Sequence, residues 1–333
     1  PAQPVIAQFE ARDATAAQHA LQRLEPAHPE YRQLRERLTA YRALAAKGGW
    51  PTIAAGLRLA RVASAKTTTS VARRAGVAAL RARLAAEGDL SDSSSDAALQ
   101  AAVRRAQARF GLPQTGTLDR ATVAALNVSA EARARQIALN MDRWRRLPQD
   151  LGRRHLRVNT PEFTLRFVVD GQPRGSMKVV AGEPATPTPV LTDVVSYIEF
   201  QPYWNVPPSP AQDMAPTIMK NPGYLAARRL DVVEGWEEPG RVVPPSKVPW
   251  KTLVHSMRPY RLRQRSGGSN ALGMVKFMFP NLYSVYLHDT PDRAKFLPRV
   301  RAFSNGCVRV EHPARVAEFL LDGDRRWPRA AIA

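Results

Sequence analysis

Apolar positions recur at three- and four-residue steps along the first half of the chain and alternate beyond residue 153. Tyr31, Leu34, Leu38, Tyr41 and Leu44 share one stripe, which predicts a helix stopped by Gly48-Gly49. Residues 51 to 70 open on Pro51 and run into Thr67-Thr68-Thr69-Ser70 without a sustained period, the pattern of a linker or loop. Short helices follow: Leu80 with Leu84, then Leu99, Val103, Ala106 and Phe110, separated by a turn-rich stretch from Gly88 to Asp96 that ends in an N-cap. Gly111-Leu112-Pro113 and Thr115-Gly116 turn the chain into another short helix ending at Ala125-Leu126-Asn127. Ser129 caps a connecting helix with Ile137, Met141 and Trp144 on one face, which stops before Pro148.

The alternating half reads as strands at His155 to Asn159, Phe163 to Val169 and Met177 to Val180, with Asp170-Gly171 as the hairpin turn between the last two. Residues 205 to 268 follow a strand ending near Phe200 and are rich in Pro and Arg, with little alternation. They read as an inserted subdomain or lid, with Trp236 and Trp250 supplying apolar bulk. From Leu282 to His288 the alternation places Ser284, Tyr286 and His288 on one face and Tyr283, Val285 and Leu287 on the other, the second set toward the core, which leaves Tyr286 and His288 toward a cleft. Pro313 opens a short helix with Val316, Phe319 and Leu320 that ends near Gly323. The expected fold class is α+β, with a helical region at 1–70, a compact helical domain at 71–128, a connecting helix at 129–149 and a mainly β domain at 150–333.

Length and charge narrow the setting. The 333 residues suffice for two or three domains, and 49 basic against 29 acidic residues leave a net charge of +20. Such an excess attracts an acidic partner: nucleic acid, an anionic membrane surface or a polyanionic wall. Neither a zinc-finger spacing nor an aromatic-interleaved basic motif accompanies it, so nucleic acid is not read as a partner. No apolar stretch reaches the ~18 residues of a membrane span. The opening Pro1-Ala2-Gln3-Pro4 lacks the basic and apolar regions of a signal peptide, which is compatible with a removed leader or an anchor outside this sequence.

Cys307 is the single cysteine, so no internal disulfide supports the fold and the thiol is either a small buried hydrophobe or a reactive group. It stands in Ser304-Asn305-Gly306-Cys307-Val308-Arg309, nineteen residues after His288. A glycine before the cysteine permits a tight turn that aims the Gly306 and Cys307 amides at a developing oxyanion. A thiol with a pKa of about 8.5 is mostly protonated at neutral pH, and an imidazole within reach supplies the base. His19, His28, His155, His255 and His312 lack such a neighbourhood, leaving His288 as the candidate base. With no His-Glu-x-x-His run and one thiol, neither a metal nor another cofactor is implied.

Two resemblances join these observations. Val103-Arg104-Arg105-Ala106-Gln107, Gly111-Leu112 and Thr122 to Asn127 resemble the three-helix peptidoglycan-binding domain, although Ala106 replaces its usual aromatic and Thr115 the usual Asp before the turn glycine. His288-Asp289-Thr290-Pro291 with Ser304-Asn305-Gly306-Cys307-Val308-Arg309 resembles the signature of L,D-transpeptidases. Asn270-Ala271-Leu272-Gly273, Lys276-Phe277, Pro280-Asn281 and Tyr203 to Pro207 are similar to their large Gram-negative members, with Asn305 where many relatives carry His. The resemblance implies a periplasmic wall enzyme of cell-shape maintenance, acting on peptidoglycan stem peptides and open to carbapenem acylation. Cys307 would attack the bond between meso-diaminopimelate and the terminal D-Ala, with His288 as base and then acid. A second stem's amine would take the thioester, giving a 3→3 cross-link. Ser304, Asn305, Tyr286 and Arg309 would line the donor site, Arg309 by holding a carboxylate, with structural packing or a salt bridge as the alternatives. Asp289 or a backbone carbonyl would orient His288. The competing readings are a wall-peptide hydrolase (L,D-carboxypeptidase) using water as acceptor and a non-catalytic peptidoglycan-binding scaffold.

Overall fold

A computed structural model of the chain describes residues 25–57, 71–91, 95–221, 223–235, 240–253 and 258–332, with Thr15 and Glu237. The chain divides into two compact units, Pro1–Asp150 and Leu151–Ala333. Among the described residues no helix is long and apolar enough to cross a membrane.

The first unit contains the helices α1 (Pro29–Ala46), α2 (Val71–Ala86), α3 (Asp96–Arg109), α4 (Arg120–Leu126) and α5 (Ala130–Arg145). Local chemistry starts three of them: Ser95, Asp119 and Ser129 each accept the N–H of the residue three further on, satisfying a donor the first turn leaves open. Leu80, Leu84, Leu99, Val103, Ala106 and Leu126 close into a core with Ile53. The start of the expected 51–70 linker is thus packed, Ile53 being pinned to Asn127 by paired bonds of 2.8 and 2.9 Å; residues 58–70 lie outside the described residues. A buried carboxylate joins α1 to this core, since Glu87 accepts from Tyr41, Arg83 and Arg109, and the Arg83 guanidinium lies 3.6 Å over Trp50. Gln107 ties the turn ahead of α4, accepting the Gly116 N–H at 2.8 Å and donating to the Thr117 carbonyl at 2.8 Å.

In the second unit, β1 (Arg154–Asn159), β2 (Thr164–Val169) and β3 (Gln172–Gly182) form an antiparallel meander. Its β2–β3 turn is Asp170-Gly171, both at positive φ, as a two-residue hairpin matched to strand twist requires. The sheet continues through β4 (Tyr197–Phe200), β9 (Val275–Met278), β10 (Leu287–His288) and β12 (Val308–Val310), in the order β1-β2-β3-β12-β10-β9-β4, with β11 (Ala302–Ser304) against β3. Helix α8 (Pro313–Leu320) lays Val316 and Ala317 on the face formed by Leu165, Val179, Phe277, Leu287, Val308 and Val310.

The segment between β4 and β9 has its own sheet and core. Strands β5 (Trp204–Asn205), β6 (Leu230–Glu234), β7 (Arg241–Val243) and β8 (Tyr260–Gln264) pair in the order β5-β8-β6-β7. The helices α6 (Pro208–Lys220) and α7 (Gly223–Ala227) contribute Ala211, Ile218 and Leu225 to a cluster with Val232 and Leu262, and Trp250 packs against it. Trp236 lies outside the described residues.

Candidate active site

The register of three central strands assembles the site. In the parallel pair β10–β12, Leu287 lies opposite Val308 and His288 opposite Arg309, while the Val308 N–H bonds to the Tyr286 carbonyl at 3.0 Å. Leu287 and Val308 are buried in the core. Because strand side chains alternate, Tyr286, His288, Cys307 and Arg309 project from the opposite face. Strand β9 adds Lys276 opposite His288, and β4 adds Glu199 opposite Lys276. Four of these six side chains are in direct contact: the rings of Tyr286 and His288 stand edge to face at 5.6 Å, Lys276 Nζ lies 4.5 Å from the Tyr286 ring centre, and Glu199 is 3.7 Å from that Nζ. The phenol and main-chain N–H of Tyr286 both favour the Cys307 thiolate over the thiol.

Backbone geometry presents the thiol. Gly306 adopts φ +108, a region closed to most side-chain-bearing residues, and its carbonyl accepts the Thr188 hydroxyl at 2.7 Å. Ser304 is buried, its hydroxyl donating to the Cys307 carbonyl at 2.5 Å while accepting the Gly306 N–H at 3.3 Å. Ser304 is therefore turned into the loop that carries the cysteine. Asn305 is exposed and Cys307 partly exposed. Opposite the thiol, the Asn281 side chain makes four bonds to the backbone of 279–285, and Ser284 takes φ +53. This turn aims the Ser284 carbonyl at the sulfur, 3.8 Å away, where it accepts the S–H. Because the turn occupies residues 281–284, the strand begins only at Leu287. Tyr283, expected in the core, is instead 61% exposed, whereas Val285 and Leu287 are buried as the alternation predicts.

His288 is held by a main-chain carbonyl: its Nδ1 lies 2.5 Å from the Asp289 oxygen. A carbonyl can only accept, so Nδ1 carries the proton and Nε2 keeps its lone pair. The Asp289 carboxylate is engaged elsewhere, accepting the Met274 N–H at 2.9 Å and the Arg293 guanidinium at 3.0 Å. Of the two ways of orienting His288, the backbone one is present. Burial, reinforced by the Arg309 charge, pushes the His288 pKa down to about 3, and burial raises the Cys307 thiol above its ordinary value. The resting pair at neutral pH is thus neutral thiol and neutral imidazole. Arg309 has no ion-pair partner among the described residues, and its buried Nε has no hydrogen-bond partner.

Residues 153–327 match the family described as "L,D-transpeptidase catalytic domain". The chain belongs to this family of L,D-transpeptidases. Residues 73–126 match a second family, described as "Putative peptidoglycan binding domain". A Haemophilus influenzae protein described as "Putative L,D-transpeptidase" is 34% identical over 187 residues, covering 56% of this chain and 37% of that protein. The chain thus spans well under half the length of this relative.

The L,D-transpeptidase resemblance motifs acquire physical roles in this geometry. Asn270, fully buried, donates to the carbonyls of Pro202 and Arg265, at 3.1 and 3.0 Å, and so binds together both ends of the insertion. Gly273 stands at φ +63, where an added Cβ would lie 2.2 Å from Asp289 Oδ2; only glycine lets that carboxylate reach the Met274 N–H. The sequence motifs assign no role in the site to Lys276, Glu199 or Ser284. Alternation within β9, with Val275 and Phe277 buried, was the available signal for Lys276, whereas Glu199 enters only through cross-strand register.

Proposed function

We propose that this L,D-transpeptidase forms 3→3 cross-links in peptidoglycan through a Cys307 thioester, releasing D-Ala from a tetrapeptide stem. The observation that carries the reading is the convergence of Cys307, Tyr286, His288 and Arg309 on one sheet face, with the His288 tautomer fixed for base catalysis. The thiol proton passes to Nε2 as sulfur attacks the carbonyl carbon between diaminopimelate and D-Ala. The Cys307 N–H meets the developing oxyanion, joined by the Gly306 N–H when it leaves its 3.3 Å bond to Ser304.

Environment decides what the imidazolium does next. With the His288 pKa pushed down to about 3, the protonated ring is a strong acid and returns its proton to the departing amine as the C–N bond breaks. An amine of a second stem then attacks the thioester, gives its proton to Nε2 and regenerates the thiol. Arg309, which makes no ion pair among the described residues, supplies the charge for a donor-stem carboxylate, with Asn305 and Tyr286 lining the same side. Ser304 acts by shaping the turn.

The excess of 20 positive charges suits a polyanionic wall in a Gram-negative periplasm, and the helical domain at 71–128 is assigned to holding it. A carbapenem would acylate the same sulfur, and a membrane anchor outside this sequence is compatible with the reading. The 205–268 insertion is assigned to covering the acyl-enzyme. Incubation with tetrapeptide muropeptides tests the function: cross-linked dimers with free D-Ala support it. Tripeptide without dimers would make the protein an L,D-carboxypeptidase, and no D-Ala release would leave it a scaffold.

A further inference from the structure

Glu199, Lys276, Tyr286 and Cys307 lie in a row across four strand segments of one sheet face. Lys276 sits opposite both Glu199 and His288 in register, Nζ rests 4.5 Å from the Tyr286 ring centre, and Tyr286 stands beside Cys307, its carbonyl accepting the Val308 N–H at 3.0 Å and its phenol favouring the thiolate. The Lys276 side chain is only 16% exposed, so its ammonium has little water to exchange for these contacts. A desolvated cation over an aromatic face is attracted more strongly than an exposed one and restrains the ring beneath it. We propose that Lys276, anchored by Glu199, is a positioning residue that holds the Tyr286 phenol on the Cys307 sulfur and thereby sets how readily the thiolate forms. The inference rests on Cys307 being the nucleophile.

Two physical effects reinforce each other. A phenol O–H donated to sulfur favours the thiolate over the thiol, and a cation behind the ring makes that phenol a better donor. The other charged and titratable groups facing the sulfur are His288 and Tyr286 on the β10 side, Arg309 beyond it on β12, and Glu199 behind Lys276, with Asp292 near Arg309. Arg309 and Lys276 favour the thiolate, Glu199 and burial oppose it, and His288 is neutral across the useful pH range. Lys276 is the cation among these that also makes a direct contact with the Tyr286 ring.

The test is the pH profile of Cys307 alkylation by iodoacetamide, read by intact mass on the whole chain, for wild type, K276M, K276R and Y286F. Met keeps an unbranched side chain over the ring without charge, and Arg keeps the charge. K276M should be roughly 3–10-fold slower at pH 7, since one unit of pKa is a tenfold change in thiolate, and should reach the wild-type plateau at high pH. K276R should stay within about twofold of wild type. In the Y286F background K276M should have a much smaller effect, because the phenol it positions is gone. A K276M profile that superimposes on wild type would overturn the proposal, as would an equal loss at every pH or full additivity with Y286F. Retained cross-linking by C307A would instead overturn the nucleophile assignment, which separates the two failures.

Discussion

Replacing Gly273 with Ala should damage the active site from a position that touches no substrate. The new Cβ would lie 2.2 Å from Asp289 Oδ2, 2.4 Å from its Cγ and 2.6 Å from its Cβ. Carbon atoms pack at about 3.5–4.0 Å, so a shift on the order of 1 Å is needed. Rotating the carboxylate offers no escape, because the Asp289 Cβ itself is in the way. Holding a non-glycine residue at left-handed φ costs about 1–2 kcal/mol, and losing the bond between Asp289 and the Met274 N–H about 1–3 more, for about 2–5 kcal/mol in total. The Asp289 carbonyl orients His288, so the displacement passes directly to the base. A misplacement of this size can cost on the order of 100-fold in rate. Urea denaturation and the rate of Cys307 acylation by a carbapenem, taken well below the unfolding transition, measure both effects. Gly171→Ala is the control: at φ +71 with nothing within 4 Å of its Cβ, it should lose only the backbone cost and keep full activity. A folded G273A protein that is acylated at the wild-type rate and destabilised by less than about 1 kcal/mol would refute this account of the glycine.

Three further outcomes follow from the same geometry. Folded His288 stays neutral down to about 3, whereas the unfolded residue takes a proton near 6.5, so its stabilising contribution is complete above 6.5 and is lost as pH falls toward 3. Between pH 7.5 and 5.5 this removes about 1.4 kcal/mol from the wild type and nothing from H288N, a difference that calorimetry at the two pH values resolves. R309M should lower kcat/KM for tetrapeptide stems roughly 10–100-fold, the worth of a charge-assisted hydrogen bond, through KM more than through alkylation of Cys307, and R309K should recover only part of it. Asn205 and Arg263 face each other in register, so an Asn-Gly turn joining them can replace residues 206–262. Product analysis of that variant should show the ratio moving from dimers toward hydrolysed tripeptide, and an unchanged ratio would remove the insertion from acceptor selection.

Much of the order of elements was legible because local rules and tertiary packing agree there. Ser129 caps a helix, Asp170-Gly171 turns a hairpin, and Met177, Val179 and Val180 are buried in a strand expected there, whereas the three-residue strand Val308–Val310 is too short to announce itself. The insertion was legible as a separate piece but not as a sheet: β5 and β7 have two and three residues, too few to display a period. At residues 281–284 the alternation misled, because the Asn281 side chain satisfies the backbone locally and replaces the strand ladder. Cys307 and His288 stand out by residue type and spacing. The partners that tune them do not, since Lys276, Glu199 and the Ser284 carbonyl reach the site through register and a positive φ, neither of which leaves a mark in composition. Ser304 illustrates the converse: its place in the motif suggests a substrate contact, and its burial beneath the Cys307 carbonyl gives it the work of shaping the loop.

The central claim is a covalent acyl-enzyme on Cys307 formed with His288 as base, and rapid-quench intact-mass measurement with a tetrapeptide stem tests it most directly. The account predicts a mass increase equal to the tripeptide acyl group, mapped to Cys307 by digestion, appearing together with one equivalent of D-Ala. It should be absent in C307A and slowed by orders of magnitude in H288N. D-Ala release by C307A, or an adduct that maps to any other residue, would contradict it.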